Sequence, residues 1–179
     1  MTENNDITRL DVQRKVKPKI EDVIPLIVIE DNQKNALDFV AWFRENKMSP
    51  GWSGVHNAWN ANFKGKTICK ISMEKDGRWY VRLYLINIEK YGNSIIREGL
   101  QELIKKNLHY CEAYREPCLN PCKHAMKHNR QFFGEELKGI CYDKICLGGL
   151  LVVFNNPDEL VISGAKTLLE MEREARVKI

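Results

Sequence analysis

The sequence predicts an α+β fold, in which an antiparallel sheet is built on a three-stranded meander and helices pack on one face. Two observations predict it. Three consecutive segments carry apolar side chains at alternate positions, as half-buried strands do. Segments before and after them repeat apolar residues every three or four positions, as amphipathic helices do. The alternating sets are Val55, Trp59, Ala61 and Phe63; Thr67, Cys69, Ile71 and Met73; and Trp79, Val81, Leu83 and Leu85.

The turns of the meander follow from the requirement that paired residues lie on the same face of the sheet. A two-residue turn at Asp76-Gly77 would pair core positions with solvent positions. A three-residue loop, Lys75-Asp76-Gly77, keeps the faces consistent and places Gly77 in the left-handed conformation. The same count favours a three-residue loop at Phe63-Lys64-Gly65. The predicted partners are Met73–Trp79, Ile71–Val81 and Cys69–Leu83 for one hairpin, and Trp59–Cys69 and Ala61–Thr67 for the other.

The flanking segments add two strands and three helices. Val23–Glu30 (VIPLIVIE) is a short apolar run rich in β-branched residues, which favours a strand. Leu150–Phe154 (LLVVF) is a continuous apolar run that is typical of a central strand. The predicted helices are residues 31–47, with Asp31 or Asn32 as cap and Ala36, Phe39, Val40 and Phe43 buried; residues 92–107, with Ile96, Leu100, Leu103 and Ile104 buried; and residues 156–176, with Asn156 as cap and Val161, Ala165, Leu168 and Leu169 buried.

Length and composition suit one domain without a membrane segment. The chain has 179 residues and a net charge of +4, which permits an anionic partner without requiring one. No run reaches the ~18 apolar residues of a membrane span, and the polar N-terminus has no secretory h-region, so we expect a cytoplasmic protein. Residues 1–22 balance bases with acids and are predicted to form a flexible, extended arm. A single α+β domain over residues 23–179 follows, with a Cys/His-rich insertion at 109–146.

The insertion at 109–146 holds five of the six cysteines and three of the four histidines. Cytoplasmic cysteines are normally reduced, which favours thiols, metal ligands or redox groups over structural disulfides. Zinc takes four thiolate or imidazole ligands, and Cys118-x3-Cys122 has the spacing of one ligand pair. If a helix follows Pro121, two histidines lie one turn apart on its surface. The candidate metal ligands are Cys111, Cys118, Cys122, Cys141, His124 and His128.

Other interpretations of the same residues stay open. The cysteines suit plain reduced side chains of a core and a surface loop. They also suit a thiol switch, or a catalytic thiolate assisted by His124 or His128, because nearby bases would lower the thiol pKa. The sequence contains no CxxC pair, which would be the strong signature of a metal site. Ala125 stands where an HExxH zinc hydrolase needs glutamate.

The meander carries the candidate ligand site. Arg78, Tyr80 and Arg82 alternate on its outer face, and basic residues interleaved with aromatic ones suit an anionic ligand or single-stranded nucleic acid. Tryptophans near the sheet are candidates for lining a pocket. The competing interpretation is a solvated outer face with cross-strand ion pairs, and tryptophans that only fill the core. The candidate ligand residues are Trp52, Trp59, Trp79, Arg78, Tyr80 and Arg82.

Several stretches carry a resemblance that spans residues 36–172. They are DFVAWFRENKMSPGW (Asp38–Trp52), FKGKTICKI (Phe63–Ile71), Tyr110-Cys111, FFGEELKGIC (Phe132–Cys141) and FNNPDELVISGAKTLLEM (Phe154–Met171). In these stretches the chain resembles a group of small uncharacterised α+β proteins from Gram-positive anaerobes. The resemblance implies a shared fold and no particular chemistry. It also implies cysteines near Cys111, Cys118, Cys122 and Cys141, although CLNPCKHAMKHNR is more basic and richer in histidine here.

These patterns lead to one functional hypothesis and two alternatives. The hypothesis is a cytoplasmic protein that binds an unidentified small molecule or has a regulatory role, with zinc stabilising its Cys/His loop. The first alternative is a thiol-dependent enzyme or redox switch that uses a Cys/His pair within residues 111–128. The second is a nucleic-acid-binding protein that acts through its basic face, with the candidate contacts Arg78, Arg82, Lys123, Lys127 and Arg130.

Overall fold

The computed structural model describes residues 6–108, 130–132, 135–137 and 150–177. The helices in this part of the chain are α1 (Leu10–Val16), α2 (Ile20–Ile27), α3 (Glu30–Glu45), α4 (Gly92–Arg97), α5 (Gln101–Lys106) and α6 (Glu159–Val177), with a 3₁₀ turn at Ile88–Tyr91. The strands are β1 (Gly51–Trp52), β2 (Ala58–Phe63), β3 (Lys66–Met73), β4 (Trp79–Leu85), β5 (Arg130–Phe132), β6 (Glu135–Leu137) and β7 (Leu150–Asn155).

The predicted α+β fold class is confirmed. An antiparallel sheet of five strands has the order β1-β2-β3-β4-β7, so its first four strands follow one another as a meander. Strands β5 and β6 form a separate antiparallel pair. The chain forms two compact units, Met1–Arg82 with Phe154–Ser163, and Leu83–Val153 with Gly164–Ile179. They are called the first unit and the second unit below.

Alternation along the meander decides which face of the sheet is buried, as predicted, except at Val55, which precedes β2 and is 53% exposed. The odd-numbered side chains of β2 and β4 are nearly all buried, whereas the even-numbered ones are mostly half-buried. Strand β3 follows the same rule from Cys69 onward. We call the odd-numbered side the inner face and the even-numbered side the outer face. The inner-face residues buried in the first unit are Trp59, Ala61, Cys69, Ile71, Met73, Trp79 and Val81.

The hairpin between β3 and β4 has the predicted three-residue loop. The Glu74 amide donates to the Arg78 carbonyl over 2.8 Å, and Gly77 donates to the Glu74 carbonyl over 3.1 Å. Gly77 has φ +90°, the left-handed conformation expected of the bulge glycine. A methyl group at Gly77 would also lie 2.5 Å from Cγ1 of Ile29, so two constraints favour glycine at this position.

The loop predicted between β2 and β3 was wrong. The strands close with Phe63 opposite Lys66, and Lys64 and Gly65 both have positive φ, which makes a two-residue type I′ turn. The register then shifts between Ala61 and Asn62. Ile68 is the extra residue of this β-bulge, and it is fully buried although alternation predicted it on the outer face. The bulge returns the odd residues to the inner face, so Trp59 pairs with Ile71 and Ala61 with Cys69.

Helices α1 and α2 lie where the sequence predicted an extended arm and a strand. Helix α2 covers most of the run assigned to a strand and includes Pro25 near its end. Its residues Ile20, Val23 and Ile24 are fully buried at the three- and four-residue spacing of a helix. A short apolar run contains both periods, so periodicity alone does not distinguish a buried helix from a strand.

Helix α1 is joined to the sheet by a buried amide pair. The Gln13 side chain donates to Oδ1 of Asn57 over 2.6 Å and to the Ile7 carbonyl over 2.9 Å, and it accepts from the Asn57 amide over 2.9 Å. Gln13 is 0% exposed and Asn57 is 2% exposed. The Trp59 indole also donates to the Pro18 carbonyl over 2.9 Å. These contacts hold residues 10–20 within the first unit, so this segment does not extend away as an arm.

Helix α3 confirms its predicted apolar face, since Ala36, Phe39, Val40 and Phe43 are fully buried. Its N-cap is Ile29, and no side chain caps it, so the predicted cap at Asp31 or Asn32 was wrong.

The helix predicted over residues 92–107 is divided into α4 and α5. Gly99 between them has φ +67°, which ends the first helix because a continuing helix needs negative φ. The break also changes the buried stripe. Ile95 and Ile104 are fully buried, whereas Ile96 is 48% exposed.

Strand β7 and helix α6 lie where they were predicted, with two corrections. Strand β7 is the last strand in the order of the described sheet and not a central one. Its residue Val152 also forms an isolated antiparallel bridge with Leu108. Asp158 caps α6, because its Oδ1 accepts from the Val161 amide over 2.8 Å. Asn156, the predicted cap, bonds to Trp79 instead. Its backbone N–H donates to the Trp79 carbonyl, and its Oδ1 accepts from the Trp79 backbone N–H, over 2.9 Å each.

The second unit contains a buried carboxylate on α6. Glu172 is 0% exposed and accepts from the Asn87 amide and side chain, the Tyr91 hydroxyl and Nε of Arg176, over 2.6–3.0 Å. Arg176 is 6% exposed and also donates to the Tyr84 carbonyl. Glu172 continues the stripe of Ala165, Leu168 and Leu169 at helical spacing, so α6 buries an ion pair within its last two turns.

None of the described helices combines the length with the apolar character that crossing a membrane requires.

Candidate functional site

The predicted metal ligands lie outside the described residues. They are Cys111, Cys118, Cys122, Cys141, His124 and His128. Within residues 6–108, 130–132, 135–137 and 150–177, no group of three histidine, cysteine, aspartate or glutamate side chains is arranged to hold a metal ion. The zinc hypothesis therefore stays a prediction of the sequence.

Zinc content is directly measurable in protein that is purified without a metal-affinity tag. We expect about one zinc per chain, with about three or four thiols protected until denaturation, because a structural site uses four ligands. Elemental analysis and thiol counts before and after denaturation test this expectation. Cys118→Ser should lower the stability. An absence of metal, with all five cysteines other than the buried Cys69 reacting at once, would contradict the hypothesis.

Cys69 is the one cysteine in the described part of the chain, and it is fully buried on the inner face. Burial raises the pKa of its thiol well above the ordinary value, while the Arg82 backbone and charge lower it to a smaller extent. A thiol with so high a pKa forms little thiolate and is a poor nucleophile. Cys69 is therefore a core residue rather than a reactive one.

The six predicted ligand residues lie on two faces of the sheet. Trp59 and Trp79 are fully buried on the inner face. Trp52 pairs directly with Trp59 and therefore points to the same side, where it is half-buried. The indole nitrogens of Trp52 and Trp79 have no hydrogen-bond partner among the described residues. The tryptophans thus belong to the core and its edge, and the predicted aromatic pocket is not joined to the arginine face.

On the outer face, Arg78 is neutralised by nearby acids. Its guanidinium contacts Glu74 over 2.6 Å and Asp76 over 2.7 Å. If the outer face is only a solvated surface, cross-strand ion pairs are expected on it, and the pair of Arg78 with Glu74 is one of them. Arg78 is therefore a poor candidate for holding an external anion.

Tyr80 lies between two arginines of its own strand. The Cζ atoms of Arg78 and Arg82 are 5.9 and 5.5 Å from the centre of its ring. Residues two positions before and after Tyr80 point to the same face on either side of it. These cation–π contacts hold both guanidinium groups close to the ring, and a base that stacked on Tyr80 would compete with them.

Lys70 and Arg82 form a like-charge pair on the outer face. The Glu74–Arg78 hydrogen bond sets the pairing of β3 with β4. Four residues further along each strand from this bond, Lys70 lies opposite Arg82. Nη1 of Arg82 donates to Oγ of Ser72 over 2.6 Å. Partial burial, and then the charge of Arg82, lower the pKa of the Lys70 ammonium. Among the described residues, no carboxylate lies within ion-pair distance of either cation.

Asn60 extends this pair by one strand, because it is the registered partner of Lys70. We call Asn60, Lys70 and Arg82 the donor row. Gly51 of β1 lies opposite Asn60, and no described residue beyond its chain neighbours comes within 4 Å of the place where its Cβ would be. Arg82 was among the predicted ligand residues, whereas Lys70 and Asn60 were not. The sequence could have indicated both residues, because even-numbered positions of β2 and β3 lie on the same face of the sheet as Arg82.

A concave region of about 420 Å³ lies near the N-terminal residues of the first unit. Its polar residues include Asp6, Thr8, Arg9, Asp11, His56 and Lys75. Most of these groups bond to one another. Asp6 accepts from Thr8, Arg9 donates to Asp11, and the His56 ring contacts the Thr8 carbonyl. This groove is therefore largely satisfied internally, and the donor row is the stronger candidate.

Comparisons with protein families, with curated proteins and with solved structures find no match to this chain.

Proposed function

We propose that this protein binds an anionic small molecule on the outer face of its meander, with Lys70 and Arg82 as the principal contacts. The supporting observation is the uncompensated charge pair. Like charges that face each other across two strands destabilise a sheet, and here no described acid relieves the repulsion. A bound anion would relieve it and would accept hydrogen bonds from both groups.

The chemistry of the two cations suits this role. Arg82 uses Nη1 on Ser72, and its other guanidinium nitrogens remain suited to paired hydrogen bonds with two oxygens of one ligand. The contacts with Tyr80 and Ser72 hold the guanidinium in place before a ligand arrives, which reduces the entropy lost on binding. The hypotheses of a cytoplasmic location and of a zinc-stabilised loop accompany this proposal unchanged.

Anion-dependent stability tests the proposal. We expect diphosphate and citrate to raise the thermal midpoint of unfolding of the wild-type protein, whereas glucose should not. Loss of one charge-assisted contact in Lys70→Gln or Arg82→Gln should weaken anion binding about tenfold or more. Without an anion, neither variant should be less stable by more than about 0.5 kcal/mol, since each removes a repulsion on a half-exposed face.

Lys34→Gln is the matched control. It removes the same charge from an exposed position on α3, where Lys34 contacts Asp38 only at 3.9 Å. Its response to anions should equal that of the wild type. If all four proteins respond alike, the outer face is a solvated surface and the proposal is wrong.

A further inference from the structure

We infer that the donor row binds a phosphate chain, diphosphate or longer, through its phosphates alone. This inference rests on the proposed function and specifies the ligand class for the same site. Free polyphosphates and nucleotides both belong to this class, since the shared chemistry is the phosphate chain itself.

The first argument is the length of the donor row. Asn60, Lys70 and Arg82 lie side by side on three neighbouring strands. Strands are spaced by about 4.8 Å, so the row extends about 10 Å across the sheet. A single phosphate ion is small compared with this distance, whereas a chain of phosphates laid across the strands presents oxygens to all three side chains. The absence of a side chain on Gly51 leaves the β1 end of the row open for a longer ligand.

The second argument is the kind of hydrogen-bonding group. Lys70 and Arg82 are donors only, and Asn60 offers an amide N–H₂. The Ser72 oxygen already accepts from Arg82, so its hydroxyl hydrogen remains for a further acceptor. A ligand with many oxygens and several negative charges matches such a set. A dicarboxylate would bring only its two ends, whereas a phosphate chain has acceptors along its whole length.

The third argument concerns what the site lacks. Binding of single-stranded nucleic acid without sequence preference relies on aromatic rings that stack with bases. Tyr80 lies two residues before Arg82 on the outer face, and the Cζ atoms of Arg78 and Arg82 are 5.9 and 5.5 Å from the centre of its ring. A base that stacks on Tyr80 would therefore compete with these two contacts. The phosphates, and not a base, should therefore supply the binding energy.

Titration calorimetry on the full chain tests the inference with orthophosphate, tripolyphosphate, ATP and a short oligothymidylate. We expect tripolyphosphate to bind about tenfold or more tightly than orthophosphate, and ATP to match tripolyphosphate within about threefold. Lys70→Gln should weaken the binding of tripolyphosphate about tenfold. Arg82→Lys keeps the charge but loses the paired hydrogen bonds, so it should also weaken this binding. Lys34→Gln should have no effect, and thermal unfolding should show that every variant is folded.

Five outcomes would overturn the inference. Equal affinity for orthophosphate and tripolyphosphate would remove the chain requirement and leave the proposed anion site intact. Much tighter binding of ATP than of tripolyphosphate would show that the base contributes. Tighter binding of the oligonucleotide than of any phosphate would favour a nucleic-acid surface. Unchanged tripolyphosphate binding in Lys70→Gln would place the ligand elsewhere, while a failure of every anion to bind would reject the proposed function itself.

Discussion

Replacing Glu172 by glutamine should destabilise the protein by about 3–5 kcal/mol, because it removes the negative partner of a buried ion pair. Glu172 is 0% exposed, and Arg176 one turn later is 6% exposed. The guanidinium would keep its bond to the Tyr84 carbonyl but would lose the carboxylate 2.8 Å away. The new amide group would also direct hydrogens toward the donors Asn87 and Tyr91, which now share one oxygen of the carboxylate.

Urea unfolding of wild-type, Glu172→Gln and Glu174→Gln proteins measures this effect. Glu174 is exposed on the same helix, so its substitution should change the free energy of unfolding by less than about 0.5 kcal/mol. The double variant Glu172→Leu/Arg176→Leu removes both charges and should recover part of the loss. Equal stabilities of the two single glutamine variants would contradict a buried, paired carboxylate at position 172.

Replacing Gln13 by alanine should destabilise the protein by about 2–3 kcal/mol, because two buried polar groups and one part-buried carbonyl lose their partner at once. These groups are the amide and side-chain oxygen of Asn57 and the carbonyl of Ile7. The result also separates two descriptions of the N-terminus. If residues 1–22 formed the flexible arm that their charge pattern suggests, Gln13 would be solvated and its truncation nearly neutral.

The matched control for Gln13 is Gln33→Ala. Gln33 donates its side-chain amide to the Val28 carbonyl over 2.8 Å but is only half-buried, so its truncation should change the free energy of unfolding by about 1 kcal/mol or less. Chemical denaturation of both variants gives the comparison. A loss at Gln13 no larger than the loss at Gln33 would refute the buried amide pair.

The faces of the sheet could be predicted because alternation is a local property. Side chains of a strand point to opposite sides whatever the partner strand is, so the buried positions of β2 and β4 followed from residue order alone. Gly77 similarly marked its own turn, because the left-handed conformation favours glycine. The inclusion of Arg82 in the candidate site came from the same rule.

Partners across the sheet could not be predicted in the same way. The pairing of β2 with β3 depends on the β-bulge at Ile68. The sequence rules for hairpin turns do not predict this bulge. It changes the partner of Trp59 from the predicted Cys69 to Ile71, and it brings Asn60 opposite Lys70. The donor row therefore exists only through a register that the folded sheet selects.

The sequence by itself determined the fold class, the buried faces of α3 and the meander, and the start of β7, since each depends on periodicity within one element. Tertiary structure decided whether a short apolar run became α2 or a strand. It also decided which polar residues are buried, as Gln13 and Glu172 are. Gln13 and Glu172 are polar, and a polar residue is assigned to the surface unless its partner is known. Their partners, Asn57 and Asn87, are 44 and 85 residues away, and only folding brings such distant groups together.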